Sequence, residues 1–330
     1  MATRPHSIII LDDYQNASST ADWSQIPKDV KMKVMNTAID PADLVETLRP
    51  YTIIHAMRER TKFPRSVLEH LPNLKFISTT GMRNRGIDLQ ACEDLGIIVS
   101  GTIANGNTAS GTVEQTWALI VALSRRIVVE HVNLKGQAPS WQTGVATALS
   151  GKTLGLIGVG RIGKAMANVA KAFGMAVVGW SPNLNEERAK EAGVELATSL
   201  EDLLTRSDVV SIHIVSSDVT KDLICHHQLE MMKKTAILVN TSRGPIVNEQ
   251  ALLRGLQEGT IAGAGLDVFN EEPLPISHPF RKLENVVLSP HMGYVDDSTM
   301  NLFWEQTPEN IAAFLNNNPV RVMKPGSDAF

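Results

Sequence analysis

The sequence predicts an α/β protein of two domains, each a doubly wound parallel sheet. Three observations carry this. The 330 residues amount to about two typical domains. Short apolar runs alternate with helix-period segments in two separate series, the pattern of strands joined by crossover helices. One apolar run, residues 154–157, leads straight into Gly158-Val159-Gly160-Arg161-Ile162-Gly163, a glycine-rich turn between strand and helix.

The first series opens with Ser7-Ile8-Ile9-Ile10-Leu11, a buried strand ended by Asp12-Asp13. Residues 31–35 alternate as a second strand. Asp40-Pro41 supplies an N-cap followed by proline, so a helix is expected from there through Leu48. Residues 52–57 are a third strand, 64–71 a helix, and 74–79 a fourth strand. A helix over 88–95 is stopped by Gly96, and 97–99 is a fifth strand. Residues 112–129 read as one long helix, apolar all round (Trp117, Leu119, Ile120, Val121, Leu123) and therefore largely buried. Pro139-Ser140 and Ser150-Gly151 punctuate the chain before the second series. Its strands are expected at 153–158, 176–180, 209–215, 236–240, 263–268 and 286–288. Its helices are expected at 162–173, 200–205, 228–232 and 248–258. A last helix over 298–316 has no strand after it, and its pattern suits packing on the first domain.

Composition narrows the functional classes. The chain is 43% hydrophobic and 20% charged, enough for two packed cores rather than disorder. With a net charge of -4 it has no basic excess for a phosphate backbone, so nucleic acid is excluded as the main partner. No apolar run near the start suits a signal peptide or a membrane span, so a soluble, cytoplasmic protein without a membrane partner is expected. Cys92 and Cys225 are too few for a disulfide framework or a cysteine-rich zinc site, and no metal is expected. They read as small buried hydrophobes in a reducing compartment.

The glycine turn carries cofactor chemistry. Gly158 allows the tight turn, Gly160 lets a pyrophosphate approach the backbone, and Gly163 lets the helix pack on the sheet. The free amides and dipole at the helix start, over Arg161 and Ile162, favour that anion. The next strand ends Gly179-Trp180-Ser181-Pro182-Asn183. An acidic residue there would hold the ribose hydroxyls of NAD. Ser181 removes that carboxylate and its repulsion of a 2′-phosphate. No arginine follows at once, although Arg188 reaches the site if the loop folds back. The cofactor expected is NAD(P), leaning towards NADP.

Four further blocks complete a pattern: Asn240-Thr241-Ser242-Arg243-Gly244, Gly265-Leu266-Asp267-Val268-Phe269, Glu271-Glu272-Pro273-Leu274-Pro275 and Ser289-Pro290-His291-Met292-Gly293. With the glycine turn, in this order and spacing, the chain resembles the D-isomer-specific 2-hydroxyacid dehydrogenases over nearly its whole length. The resemblance implies a Rossmann cofactor domain, residues 102–298, inserted into a flavodoxin-like substrate domain made of 1–101 and 299–330. It implies a catalytic set of Arg243, Glu272 and His291, and Asp267 holding the nicotinamide carboxamide. By position it places Thr80-Gly81-Met82 in the loop whose amides bind the substrate carboxylate, and Thr116 on the nicotinamide side. His213, Val215 and Thr220 fall in the loop over the adenosine, with Val215 standing where proline is common. Thr241, Ser242 and Gly293 complete the expected cofactor contacts.

The chemistry of those residues supports the roles independently. Reduction of a 2-keto acid needs a hydride donor, a proton donor and a cation for the carboxylate. Histidine is the natural acid/base near neutral pH, and a carboxylate beside it favours the imidazolium. Arginine offers a planar fork to carboxylate and carbonyl oxygen. Arg58, Arg60, Arg83 and Arg85 depart from the small or acidic residues common in these loops. Arg58, directly after a strand, is the first candidate for a second anionic or polar substrate group, and Arg83 the second. The expected function is reversible reduction of a small 2-keto acid to a D-2-hydroxy acid. The alternatives are a nicotinamide-sensing, corepressor-like binding protein, or a formate dehydrogenase-like enzyme, which would pair its histidine with glutamine where Glu272 stands. A homodimer through the cofactor domain is expected from the apolar 112–129 and 141–149 segments.

Overall fold

The computed structural model describes residues 5–103, 110–137 and 139–326. Two compact units divide the chain: Met1–Thr108 with Asp297–Phe330, and Ala109–Asp296.

The first unit contains β1 (Ser7–Ile10), β2 (Lys31–Val34), α1 (Leu44–Leu48), β3 (Ile53–Ala56), α2 (Arg65–Leu68), β4 (Phe76–Thr79), α3 (Leu89–Asp94) and β5 (Ile98–Ser100). The strands pair in parallel in the order β2-β1-β3-β4-β5, the flavodoxin-like order. A parallel sheet is covered on both faces, which is why its strands are unbroken apolar runs. Ile8, Ile9, Ile10, Ile53, Ile54, Phe76 and Ile77 are all fully buried. The edge strand β2 instead keeps Lys31 and Lys33 in solvent. The helix expected from Asp40-Pro41 begins only at Leu44. Asp40 closes a turn, its carboxylate accepting from the Ala42 amide at 2.9 Å, and Asp43 precedes the helix without a side-chain cap. Asp88 does cap α3, accepting from the Ala91 amide at 2.8 Å.

The second unit contains α4 (Ser110–Ser124), α5 (Ile127–Lys135), β6 (Thr153–Ile157), α6 (Arg161–Ala172), β7 (Ala176–Trp180), α7 (Glu186–Ala192), β8 (Glu195–Leu196), α8 (Leu200–Arg206), β9 (Val209–Ile212), α9 (His226–Met231), β10 (Ile237–Asn240), α10 (Glu249–Gln257), β11 (Gly263–Leu266) and β12 (Val286–Leu288). Its sheet is parallel, in the order β12-β11-β10-β9-β6-β7-β8. The strand order reverses between β6 and β9, the crevice where this topology binds ligands outside the carboxyl ends.

The single helix expected over 112–129 is two helices. Arg126 adopts a left-handed backbone (φ 56°) that ends the first, and its guanidinium is held by Glu130 and Thr143. Burial follows the same division: α4 buries Val113, Trp117, Leu119 and Ile120, whereas α5 buries nothing. The pair α7 and β8 lies outside the expected elements. Residues 186–192 have no apolar stripe, and the helix is set by its ends, with Asn185 capping the Arg188 amide and Gly193 left-handed at φ 63°. The strand expected over 209–215 ends at Ile212.

The chain returns to the first unit through α11 (Asp297–Leu315). Phe314 stacks on Phe76 with ring centroids 4.5 Å apart, and Trp304 lies 5.0 Å from the ring of His55. His55 is fully buried, and burial pushes its imidazole down to about 3 against the opposing pull of Asp13, so it is a neutral core residue. No helix among the described residues is long and apolar enough to cross a membrane.

Candidate active site

The glycine turn follows β6 directly. Gly158 has φ 101°, and a Cβ there would lie 2.7 Å from the backbone of His213, so the turn and the end of β9 meet with no room for a side chain. The His213 amide donates to the Ile157 carbonyl at 2.7 Å and closes the switch-point crevice from beneath. A Cβ on Gly163 would sit 2.3 Å from the Gly158 carbonyl oxygen, which is how α6 reaches the turn. Gly160 differs from both: a Cβ there would meet no atom within 4 Å. Open space at the middle glycine, at the N-terminus of a twelve-residue helix, fits a pyrophosphate rather than a packing requirement. Arg161 and Ile162 form the first turn of that helix, with Arg161 exposed.

The loops after the neighbouring strands carry the other residues expected at the cofactor. Ser181 and Asn183 follow β7, and Arg188 does fold back, its Nη1 donating to the Asn183 carbonyl at 3.0 Å. After β9, Thr220 fixes the adenosine-side loop by donating to the Val215 carbonyl at 2.8 Å and accepting from the Ser217 amide. Val215 is exposed on that loop. Desolvation pushes the His213 imidazole down to about 4, and its Nε2 lies 2.9 Å from Ser211 Oγ, so the ring is uncharged. Ser242 donates to the Ile214 carbonyl at 2.6 Å, joining the loop after β10 to this one. Thr241 and Thr116 share a buried hydroxyl pair at 2.8 Å.

The candidate catalytic residues lie on the adjacent carboxyl ends of β10, β11 and β12, where Asn240, Leu266 and Leu288 are in register. Asn240 sets the Arg243 loop by donating to the Arg243 carbonyl and accepting from the Ser242 amide. Glu272 and His291 form a close pair, Nδ1 to Oε2 at 2.6 Å, with both side chains about a quarter exposed. The other Glu272 oxygen accepts from the Phe269 amide at 2.8 Å. Engagement of Nδ1 leaves Nε2 as the ring nitrogen for proton transfer. His291 itself has φ 56°, a left-handed backbone held by its amide donating to the Asp267 carbonyl at 2.8 Å. The Asp267 carboxylate accepts from the Met292 and Gly293 amides, both at 2.9 Å. Burial pushes that carboxyl up from its ordinary range, while these donors, Ser289 and His291 draw it down.

In the other unit, Arg58 has φ 52° and its amide donates to Thr80 Oγ1 at 2.9 Å. Its guanidinium reaches the Thr80 carbonyl and lies over Gly81, where a Cβ would come 2.0 Å from Nη1. The Gly81 amide donates to Thr102 Oγ1 at 2.8 Å, so that donor is spent inside the protein. Met82, next in the loop, is exposed.

Two residues of the site went unread in the sequence. Thr112 donates to the Gly293 carbonyl at 2.9 Å, and Gln115 donates to Ser289 Oγ at 2.7 Å. Both lie on α4, Thr112 one turn before Thr116 and Gln115 directly before it. Polar residues at 112, 115 and 116, just before the apolar run 117–123, were the available signal.

Comparison with known proteins gives concordant matches. The family described as "D-isomer specific 2-hydroxyacid dehydrogenase, NAD binding domain" matches residues 117–293. A glyoxylate reductase of Aeropyrum pernix is 41% identical over 276 residues, covering 79% of this chain and 82% of the relative. The crystal structure of a phosphoglycerate oxidoreductase from Vibrio cholerae is similar over 94% of this chain and 99% of that one, at 33% identity and a TM-score of 0.87. That of an Aquifex aeolicus D-lactate dehydrogenase, complexed with NAD and lactic acid, is similar over 95% and 99%, at 29% identity and a TM-score of 0.72.

Gly160 and Gly163 should separate in solution. Gly160→Ala is expected to melt like the wild type, because its backbone is extended and nothing opposes the methyl, yet to bind NADH at least about tenfold more weakly by fluorescence titration. Gly163→Ala is expected to lose about 1–3 kcal/mol of stability, since the Gly158 carbonyl must move. Unchanged NADH affinity in Gly160→Ala would remove the pyrophosphate from this turn.

Proposed function

The chain belongs to the D-isomer-specific 2-hydroxyacid dehydrogenases, and we propose that it reduces a small 2-keto acid reversibly to the D-2-hydroxy acid. The observation that carries this reading is the 2.6 Å contact between His291 Nδ1 and Glu272, with the ring's Nε2 left for substrate. The bound nicotinamide cofactor supplies the hydride for C2 of the keto acid. His291 then delivers the proton to the developing alkoxide from Nε2, and Glu272 stabilises the imidazolium that makes delivery possible. Asp267 contributes twice, by turning the His291–Gly293 backbone and by accepting from the carboxamide. Arg243 takes the substrate carboxylate and carbonyl oxygen as a planar fork. Arg58 and the Thr80-Gly81-Met82 loop contribute further substrate contacts, with the Met82 amide as the carboxylate donor because Gly81 is already engaged. In the cofactor region Thr116, Thr241 and Ser242 support the nicotinamide side, and His213, Val215 and Thr220 the adenosine side. Two free cysteines suit a reducing, cytoplasmic setting.

His291→Ala is expected to lose roughly 10²–10⁴-fold in kcat. Glu272→Gln keeps a hydrogen bond but removes the charge, so the fall of kcat for reduction with rising pH should begin at lower pH. A limb in its wild-type position with full activity would take Glu272 out of the mechanism.

For the cofactor we favour NADP, on the serine at the end of β7 and the guanidinium of Arg188 folded onto the Asn183 carbonyl. Arg188→Ala should lower NADPH affinity about tenfold, the worth of a charge-assisted hydrogen bond, and leave NADH unchanged. Equal losses for both cofactors would place Arg188 away from the 2′-phosphate.

A homodimer through the cofactor unit accounts for an unusual exposed apolar surface. Ile127, Val128, Val132, Leu134, Trp141 (77%) and Val145 (96%) face solvent beside a cavity of about 470 Å³ bordered by Leu123, Leu149, Ile237 and Val287. An isologous contact of over about 1,000 Å² would cover them. Light scattering should give the mass of a dimer, and a monomer at micromolar concentration would exclude it.

A further inference from the structure

Glu272 must be held to a few tenths of an ångström to make its 2.6 Å contact, yet it sits on a segment with neither helix nor strand between β11 and Pro279. Nor is the segment beyond Phe269 anchored by burial. Val268 and Phe269 are buried, but beyond them Glu271, Pro273, Ile276 and Ser277 are exposed, Ile276 to 93%, and Leu274 is the one further side chain packed against the apolar core. Besides the Phe269 amide on Glu272 itself, what fixes it is a set of polar contacts on the residues that follow Glu272. Arg281 spans two consecutive carbonyls, Nη2 donating to Leu274 at 2.7 Å and Nε to Pro275 at 2.9 Å. The Pro275 carbonyl also accepts the His278 amide at 3.0 Å. His278 Nε2 lies 3.2 Å from Glu249 Oε1, at the first turn of α10, whose Leu252 and Leu256 are buried. His278 Nδ1 accepts from the Phe280 amide at 3.3 Å, so Nδ1 is unprotonated and Nε2 carries the hydrogen donated to Glu249. The ring rests 4.9 Å from that of Phe280, itself buried.

We propose that Arg281 and the Glu249–His278 pair are positioning residues: they tie the Glu272 segment to α10 and so set the contact between Glu272 and His291. None of them needs to touch substrate. Their effect reaches the chemistry through one coordinate, the placement of the Glu272 carboxylate. A displacement of about 1 Å there weakens the imidazolium and misaims the ring, a scale of error that costs up to about a hundredfold in rate. The proposal rests on the dehydrogenase reading above for its kinetic consequences, and on the hydrogen bonds alone for its structural ones.

The test uses the full-length holoenzyme with NADPH or NADH and glyoxylate or hydroxypyruvate. Arg281→Met keeps the stem and removes both donors. His278→Asn keeps an oxygen for the Phe280 amide and loses the reach to Glu249, whereas His278→Gln keeps that reach and loses the acceptor. Arg281→Met and His278→Asn are expected to lower kcat by about tenfold to a hundredfold and to move the pH limb of reduction downwards, with cofactor affinity unchanged. Glu249→Gln, which retains the acceptor, should behave as wild type, and Glu249→Ala as His278→Asn. In a Glu272→Gln background Arg281→Met should shift the limb no further, because the charge it positions is gone. A lower melting temperature with the limb unmoved would make these residues merely structural and overturn the proposal, as would full additivity with Glu272→Gln. If the wild-type protein reduces neither keto acid, the dehydrogenase reading fails on its own. The proposal is then decided by the ring ¹⁵N titration of His291, assigned by its loss in His291→Ala: a downward shift in Arg281→Met sustains it, and an unmoved titration overturns it.

Discussion

Both units depend on one constraint, that a parallel sheet must be covered on its two faces. Strands buried on both sides leave no polar side chains to spare along their length, and the helices that cover them are spent on packing. Chemistry is thereby driven to the carboxyl ends of the strands, where the chain leaves the core. In the second unit this places Gly158 after β6, His213 after β9, Arg243 after β10, Asp267 after β11 and His291 after β12 along one rim. The sheet register decides which of these loops are neighbours.

Within that rim, Asp267 holds the turn that carries His291. Its carbonyl and both carboxylate oxygens are committed to the His291, Met292 and Gly293 amides, and those bonds hold His291 in a left-handed backbone. The turn is supported again from α4, through Thr112 on the Gly293 carbonyl and Gln115 on Ser289. A buried carboxyl pushed up by burial and satisfied by backbone donors is costly to leave half-paired, so the loop that carries His291 has one low-energy arrangement. Glu272 lacks such an environment. It hangs on an exposed segment braced by Arg281 and Glu249–His278, which makes the carboxylate the softer partner of the pair.

The break between α4 and α5 separates two uses of apolar surface that one continuous pattern concealed. Through Ser124 the apolar residues serve the core of their own unit. Beyond Arg126 they face outward, and the same residue types that would stabilise a buried helix become an exposed apolar surface.

Much was legible in the sequence because it rests on local or repeating physics. Unbroken apolar runs marked the buried strands of both sheets, the spacing of Gly158, Gly160 and Gly163 after a strand marked the nucleotide turn, and four short blocks carried the Arg243, Glu272, Asp267 and His291 set. Helices defined by their ends rather than by an apolar stripe, such as α7, left no periodic trace, and Asp40-Pro41 gave a start signal that the chain used only for a turn. The left-handed Arg126 was invisible because its conformation is stabilised by Glu130 and Thr143, the latter seventeen residues away. The contacts that aim the site are of the same kind: Gln115 to Ser289, Arg188 to the Asn183 carbonyl, Gly81 to Thr102, Arg281 to two carbonyls. The sequence by itself determined which residue types stand at the strand ends, because burial and backbone sterics act on each residue where it lies in the chain. Which of them meet, and which donors are already spent, only the tertiary structure decided, because a hydrogen bond depends on distance and direction between residues that the sequence separates.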